Sequence, residues 1–347
     1  MSAGRPDRGA LRALAAAPAL GAALALAATV VLLALAPLGL NRYGLYILSL
    51  WAVMSIAAVG LNLTVGYAGQ VSLAQGAFVG IGAYAAAILT TRGWPLVAAL
   101  AVAVVLGFAV GWLLGYPALR VRHHYLAFVT LAFSTLAYLV FRNEEWLTNG
   151  IYGIDGVPRP VILGVPTKSA LAFCYLCLAS LGVVTLLALW LVRSPWGRAF
   201  VALRENPVRA MSLGVDTRRY TLMAFAIGSA LGGVAGVLYA PLVTFIDPTP
   251  FTLALSLNLL MMVIVGGAGF LLGPHLGALI AVLLPEWLRG EWLHALEPYY
   301  LILFALLVMG LLICSPTGIL GIVERALTTR RAATRAGTLP SIDRAMQ

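Results

Sequence analysis

The amino-acid sequence predicts an all-α polytopic membrane protein of about ten transmembrane helices, with N- and C-termini cytoplasmic. Composition is the first reason. Of 347 residues, 62% are hydrophobic and only 10% charged, whereas a soluble domain carries about 25% charged and about 45–50% apolar residues. Segment length is the second. A helix crosses hydrocarbon with roughly 20 apolar residues, and apolar segments are read at 13–36, 44–64, 70–91, 94–117, 125–141, 170–192, 220–243, 251–266, 273–288 and 299–318. The third is the placement of basic residues. With the N-terminus inside and the segments alternating, 16 of the 22 Lys and Arg fall on the cytoplasmic side, where such residues are retained. The net charge of +10 follows from that topology and needs no nucleic-acid partner.

Along the chain, residues 1–12 form a cytoplasmic N-terminal arm carrying Arg5, Arg8 and Arg12. The apolar run that follows ends near Ala34-Leu35-Ala36, as in a signal peptide, but it is longer than a signal core, so a retained anchor is expected. The transmembrane domain spans 13–320, with its longest cytoplasmic loop at 193–219, and an arginine-rich cytoplasmic tail occupies 321–347. Small residues recur one helical turn apart: Gly76 with Gly80, then Gly107, Gly111 and Gly115, then Gly228, Gly232 and Gly236. That spacing lets helices approach closely in lipid, within the chain or across a dimer face. Gly66-Tyr-Ala-Gly69 and Gly266-Gly-Ala-Gly269 hint at an internal repeat, the construction common among transporters. Cys174, Cys177 and Cys314 lie in apolar runs and read as packing residues.

Several kinds of chemistry are missing. The only lysine, Lys168, follows Thr167 where a P-loop requires Gly, so the chain has no Walker A motif. Gly80-Ile-Gly82-Ala-Tyr-Ala85 has dinucleotide-loop spacing but lies inside an apolar span rather than after a strand. Span interiors hold almost no ionisable groups, with His275 and Glu286 near the ends of one segment. Ion-coupled carriers place titrating groups at membrane depth, so the driving energy is expected from elsewhere, and Glu286 is expected to pair locally with Arg289. His123, His124, His275 and His294 have no carboxylate or cysteine partners at ligand spacing, which predicts neither a metal site nor a catalytic one.

The loop from Arg193 to Tyr220 holds six arginines together with Glu205 and Asp216. Within it, Asn206 is a good N-cap, Pro207 fits the first helical position, and Gly214 suits the left-handed residue after a helix. The spacing predicts a short helix over 207–213, about 10 Å long at 1.5 Å per residue. Val208, Met211 and Leu213 would give it apolar surface in the cytoplasm, and a partner protein is the natural cover.

The stretch Gly60–Tyr84, GLNLTVGYAGQVSLAQGAFVGIGAY, resembles the signature of ABC-importer permeases of the branched-chain amino acid (leucine/isoleucine/valine) type. Further stretches match that family in order: 125–133 (YLAFVTLAF), 147–154 (LTNGIYGI) with Pro158, 197–206 (GRAFVALREN), Ala210 to Gly214, Tyr239 and Pro248. Val265-Gly-Gly-Ala-Gly269, Gly273-Pro274 and Leu284-Pro285-Glu286 complete the resemblance, which covers roughly 40–320. Asn149-Gly150-Ile151-Tyr152 departs from the pattern, with Asn and Tyr where Gly-Gly and Asn are expected, and urea and short-amide importers use closely similar permeases.

The resemblance implies a multi-pass subunit of the bacterial inner membrane, embedded in lipid and binding no cofactor directly. Its implied partners are a second homologous permease, two cytoplasmic ATPase subunits that use ATP and Mg, and a periplasmic or extracytoplasmic substrate-binding protein. Arg204, Glu205, Asn206, Pro207, Ala210 and Gly214 would couple the chain to the ATPases. Asn62, Gln70, Ser72 and Gln75 flank a Gly-rich break and either line the translocation path or satisfy broken-helix backbone. The external loop 142–169 either docks the binding protein or is simply solvated. The expected activity is ATP-driven import of a branched-chain or similar neutral amino acid. The rivals are a urea or short-amide importer, a stand-alone secondary carrier or channel, and a membrane enzyme, which lacks polar catalytic groups at one depth.

Overall fold

The computed structural model describes residues 33–118, 123–162, 165–166, 169–288 and scattered positions between 299 and 322. The expected N-terminal arm, most of the first and last apolar segments, the tail beyond 322, and Lys168, Arg289, His294 and Cys314 lie outside them. The other eight expected segments fall on helices. These are α1 (Arg42–Asn62), α2 (Gln75–Thr91), α3 (Leu96–Ala118), α4 (His123–Asn143), α6 (Ala170–Arg193), α9 (Thr217–Val243), α10 (Leu253–Gly266) and α11 (Gly273–Leu288). Shorter helices are the single turn α5 (Glu145–Thr148), then α7 (Pro195–Glu205) and α8 (Pro207–Ser212) in the arginine-rich loop. Extended pairing among the described residues is confined to β1 (Val161–Ile162) with antiparallel β2 (Val165–Pro166) and a bridge from Ile154 to Ile246.

Five described segments are long and apolar enough to cross a membrane: Arg42–Tyr67, Leu96–Tyr116, Leu126–Asn143, Ala170–Arg193 and Thr217–Val243. Two apolar helices are shorter, α2 with 17 residues and α10 with 14. The expected segment 70–91 becomes helical only at Gln75, because residues 68–74 form an irregular link after a π-turn at Leu63–Tyr67. That link does not lie flat at the end of the bundle. Gln75 reaches the carbonyl of Ala57, ten residues before Tyr67 and so about 15 Å up α1 at 1.5 Å per residue. The helix α2 therefore begins at membrane depth.

At the centre lies α9, packed against α1, α2 and α3. Its small residues allow backbones to touch. A methyl group at Gly82 of α2 would collide with the Gly233 carbonyl, and one at Gly236 with the Val79 carbonyl. On the opposite side, Gly107 and Gly111 of α3 lie over Ala230 and Ser229, and Gly115 lies over Leu222. The small-residue stripes are thus used within the chain, where close approach supplies dispersion contacts that lipid cannot replace. Cys174 and Cys177 are buried and unoxidised. At the end away from the arginine-rich loop, Tyr84 stacks on Phe141 at 4.8 Å, and Phe251 sets its edge against both of them and against Tyr239.

The packing predicts a sharp contrast between glycines. Gly236→Val forces α9 away from α2 and is expected to cost at least the ~1–3 kcal/mol of core overpacking. Gly182→Ala on the exposed face of α6 meets nothing within 4 Å and should be neutral. Thermal unfolding in detergent, followed by the loss of the monodisperse peak, compares the two; equal midpoints would contradict the packing.

Candidate functional site

Three capped helices in series shape the arginine-rich loop. Ser194 precedes Pro195 and its hydroxyl accepts from Trp196 N, opening α7 directly after α6. A methyl at Gly197 would collide with the Val192 carbonyl, so only glycine allows this reversal. Asn206 caps α8 by accepting from Arg209 N at 3.0 Å, with Pro207 at the first helical position. Asp216 caps α9 the same way through Arg219 N at 3.0 Å. Proline at the first position loses no hydrogen bond, because that N–H has no intrahelical acceptor.

The end of α8 is closed by backbone bonds, with the Ser212 hydroxyl donating to the Arg209 carbonyl at 2.8 Å. Val215 N donates to the Ala210 carbonyl at 3.0 Å and Gly214 N to the Met211 carbonyl at 2.9 Å, the paired bonds of a Schellman motif. Gly214 takes the left-handed position, φ +82. The body ends at Ser212, one residue short of the expected 207–213. Ala210 is buried, while Val208, Met211 and Leu213 are 70%, 53% and 82% exposed. Glu205 ends α7 on its exposed side.

Arg204 does something the spacing did not suggest. Its guanidinium turns into the bundle and Nη1 donates to the Gly66 carbonyl. Its side chain lies across Gly69, where a methyl would sit 3.2 Å from Cγ, and against Gly269, where a methyl would strike the guanidinium. The two glycine motifs read as a possible repeat therefore meet at one place, under one arginine. Each motif ends in a left-handed glycine, Gly69 at φ +69 and Gly269 at φ +86.

Asn62 completes the clasp. Its Nδ2 donates to the Phe270 carbonyl and its Oδ1 accepts from Gly269 N, both at 2.9 Å. The amide of α1 thereby satisfies both edges of the α10–α11 turn. Gln75, at the start of α2, ties that helix to two others, its Nε2 donating to the Ala57 carbonyl of α1 at 3.0 Å and to the Gly228 carbonyl of α9 at 3.1 Å. Gln70 and Ser72 make only bonds of 3.4 Å, to the Ala68 carbonyl and from Ala74 N. All four side chains are 5% exposed or less. The structure brings them together around the irregular link 68–74, with their stronger polar contacts directed at backbone.

Two hydroxyls that sequence reading passed over serve the same link. Thr130 of α4 accepts from Leu73 N at 3.0 Å, and Ser256 of α10 accepts from Gly76 N at 2.9 Å. Both are fully buried. The only signal they offered was a lone hydroxyl in an apolar run, which most membrane helices carry harmlessly. Elsewhere, Glu286 accepts from the Tyr43 hydroxyl, while its expected partner Arg289 is outside the described residues. His275 Nε2 lies 2.9 Å from Thr185 Oγ1. Among the described residues no three of His, Cys, Asp and Glu are grouped as metal ligands.

Comparison with known proteins places this geometry in context. Residues 43–312 match the family described as branched-chain amino acid transport system / permease component. The high-affinity branched-chain amino acid transport system permease protein LivM of Escherichia coli K12 is 32% identical over 333 residues, covering 88% of this chain and 77% of LivM. LivH of the same organism is 28% identical, over 79% of this chain and 92% of LivH. The autoinducer 2 import system permease protein LsrC of Escherichia coli is 26% identical, over 74% of each. No solved structure matches.

The clasp makes a graded prediction. Asn62→Ala leaves the Gly269 N–H without its partner, at about 1–3 kcal/mol for a stranded group, while the Phe270 carbonyl keeps the bond from Gly273 N at 3.2 Å. Gln70→Ala removes one long bond and should cost a small fraction of that. Thermal unfolding of the two variants in the same detergent would contradict the assignment if Gln70→Ala were the more damaging.

Proposed function

We propose, for a chain that belongs to the family of branched-chain amino acid transport system permease components, that ATP consumed by separate cytoplasmic subunits drives a neutral amino acid through it. The chain is a permease subunit of an ABC importer and a multi-pass, helical membrane protein. The finer reading is that it sits in a bacterial inner membrane with ten spans and both termini cytoplasmic. It works there beside a second, homologous permease, two ATPase subunits and an extracytoplasmic binding protein. The substrate follows the names of LivM and LivH: leucine, isoleucine or valine.

The observation that carries this reading is the α7–α8 unit. A six-residue helix capped at both ends by its own loop has no need of a partner to fold, yet it holds Val208, Met211 and Leu213 out into solvent. Such a rigid apolar knob fits a groove on another protein. In this mechanism the knob seats in the ATPase, and closure of the ATPase pair on ATP moves α7 and α8 as one body. Arg204 carries that movement to the Gly66 and Gly269 turns, shifting α1 against α10 and α11. The route then alternates between outward and inward access around the irregular link 68–74. The exposed Trp146, Ile151 and Tyr152 of the opposite loop offer a surface to the binding protein.

The reading is tested by two changes that leave the bundle alone. Leu213→Glu places a charge on the most exposed apolar residue of the knob, so membrane insertion is retained and ATPase subunits no longer co-purify in mild detergent. Gly214→Val asks a β-branched residue to hold φ near +82, which it resists; the chain reaches the membrane and leucine uptake is lost. Normal uptake and co-purification in both variants would remove α8 as the coupling element.

A further inference from the structure

We propose that a cavity at the end opposite the arginine-rich loop holds the headgroup of an anionic phospholipid, a site separate from the transport route described above. The cavity measures about 450 Å³ and opens between the first turns of α1 and α6. Arg42 and Arg159 enter it, with the hydroxyls of Tyr46 and Ser169 beside them and Leu171 and Phe173 forming an apolar wall. Among the described residues, no Asp or Glu lines it. Two helix N-termini open at the same point, capped by Asn41 and Ser169, and each adds a partial positive charge to that of the guanidiniums.

Depth decides the kind of anion. Arg42 begins the segment Arg42–Tyr67 and Ala170 begins Ala170–Arg193, both of membrane-spanning length. The cavity therefore lies where hydrocarbon gives way to headgroups. Guanidiniums bind phosphate oxygens through paired N–H bonds, and a lipid phosphate is the anion present at this depth. The apolar side suits the start of an acyl chain, since the Arg159 guanidinium carbon is 6.0 Å from the Phe173 ring centroid and so stands beside the wall it would share. A zwitterionic amino acid fits less well. Its ammonium would need an acidic partner, and among the described residues the polar side chains of the lining are cations and hydroxyls.

The test uses the full-length chain purified in a neutral detergent, titrated with phosphatidylglycerol and, separately, with phosphatidylcholine, with bound lipid counted by native mass spectrometry. The wild type should retain phosphatidylglycerol preferentially. The double variant Arg42→Gln/Arg159→Gln should lower that preference by roughly tenfold or more, two basic contacts being lost. The double Arg→Lys variant, which keeps the charge, should restore most of it and shows that the fold survives. Arg92→Gln, outside the cavity, should leave the preference unchanged. Equal retention of the two lipids by the wild type, or an undiminished preference in the double Gln variant, would overturn the proposal. Displacement of phosphatidylglycerol by L-leucine would also overturn it, because the cavity would then hold transported substrate.

Discussion

A break in a helix at membrane depth exposes N–H and C=O groups where no water can reach them, and every one must be satisfied from within the protein. In this chain the break lies between Tyr67 and Gln75, and much of the surrounding structure answers it. Thr130 and Ser256 accept from Leu73 N in the link and Gly76 N just after it, Asn62 bonds the α10–α11 turn, and Gln75 at the start of α2 donates to the Ala57 and Gly228 carbonyls of α1 and α9. Those side chains come from α1, α2, α4 and α10 and bring α9 into the same network. The glycine face of α9 makes this possible, since only close contact at Gly228, Gly233 and Gly236 brings the Gly228 carbonyl within reach of Gln75.

The arginine-rich loop is fastened to the bundle by buried Phe200, which packs with Leu63, Tyr67, Ala68 and Ala224, by Arg218 over the Tyr116 ring, and by Arg204 at the break itself. Gly66 closes the π-turn of α1 with its carbonyl turned outward, and Arg204 is the donor that meets it. Gly269, in the partner motif, leaves room for the guanidinium because it has no side chain. Arg204 thus puts α7 in contact with the α1 break and the α10–α11 turn together. A lysine at 204, with a single ammonium on a flexible stem, could not reproduce a planar group wedged between two glycine turns.

How much of this was legible in the sequence depended on how local the cause was. The caps of α8 could be read because Asn206, Pro207 and Gly214 act on their own neighbours. Hydropathy located eight helices for the same reason, each burying apolar residues along its own length. The break itself was marked by Gln70, Ser72, Gln75 and the glycines before them, but the start of α2 was hidden, because hydropathy carries no signal for the residue at which a backbone re-enters the helix. The meeting of Gly66 with Gly269 was visible only as a repeated pattern, since two hundred residues of fold separate them. The contact of Arg204 with the bundle was hidden because Arg204 stays exposed, as an arginine in a polar loop usually does, and nothing in the sequence marks the one carbonyl its guanidinium reaches. Thr130 and Ser256 were missed because a hydroxyl in an apolar helix usually bonds its own preceding turn, as Thr185 does to Leu181.

The central claim is that energy enters this permease from outside the chain, through α8 and Arg204. It is tested most directly by leucine uptake into cells carrying the complete transport system, measured with ATP depleted while the proton gradient is kept, and then with the gradient collapsed while ATP is kept. The account predicts that uptake stops in the first condition and persists in the second. Uptake that survives ATP depletion and stops with a protonophore would contradict it, and would move the source of energy to a titrating group within the bundle.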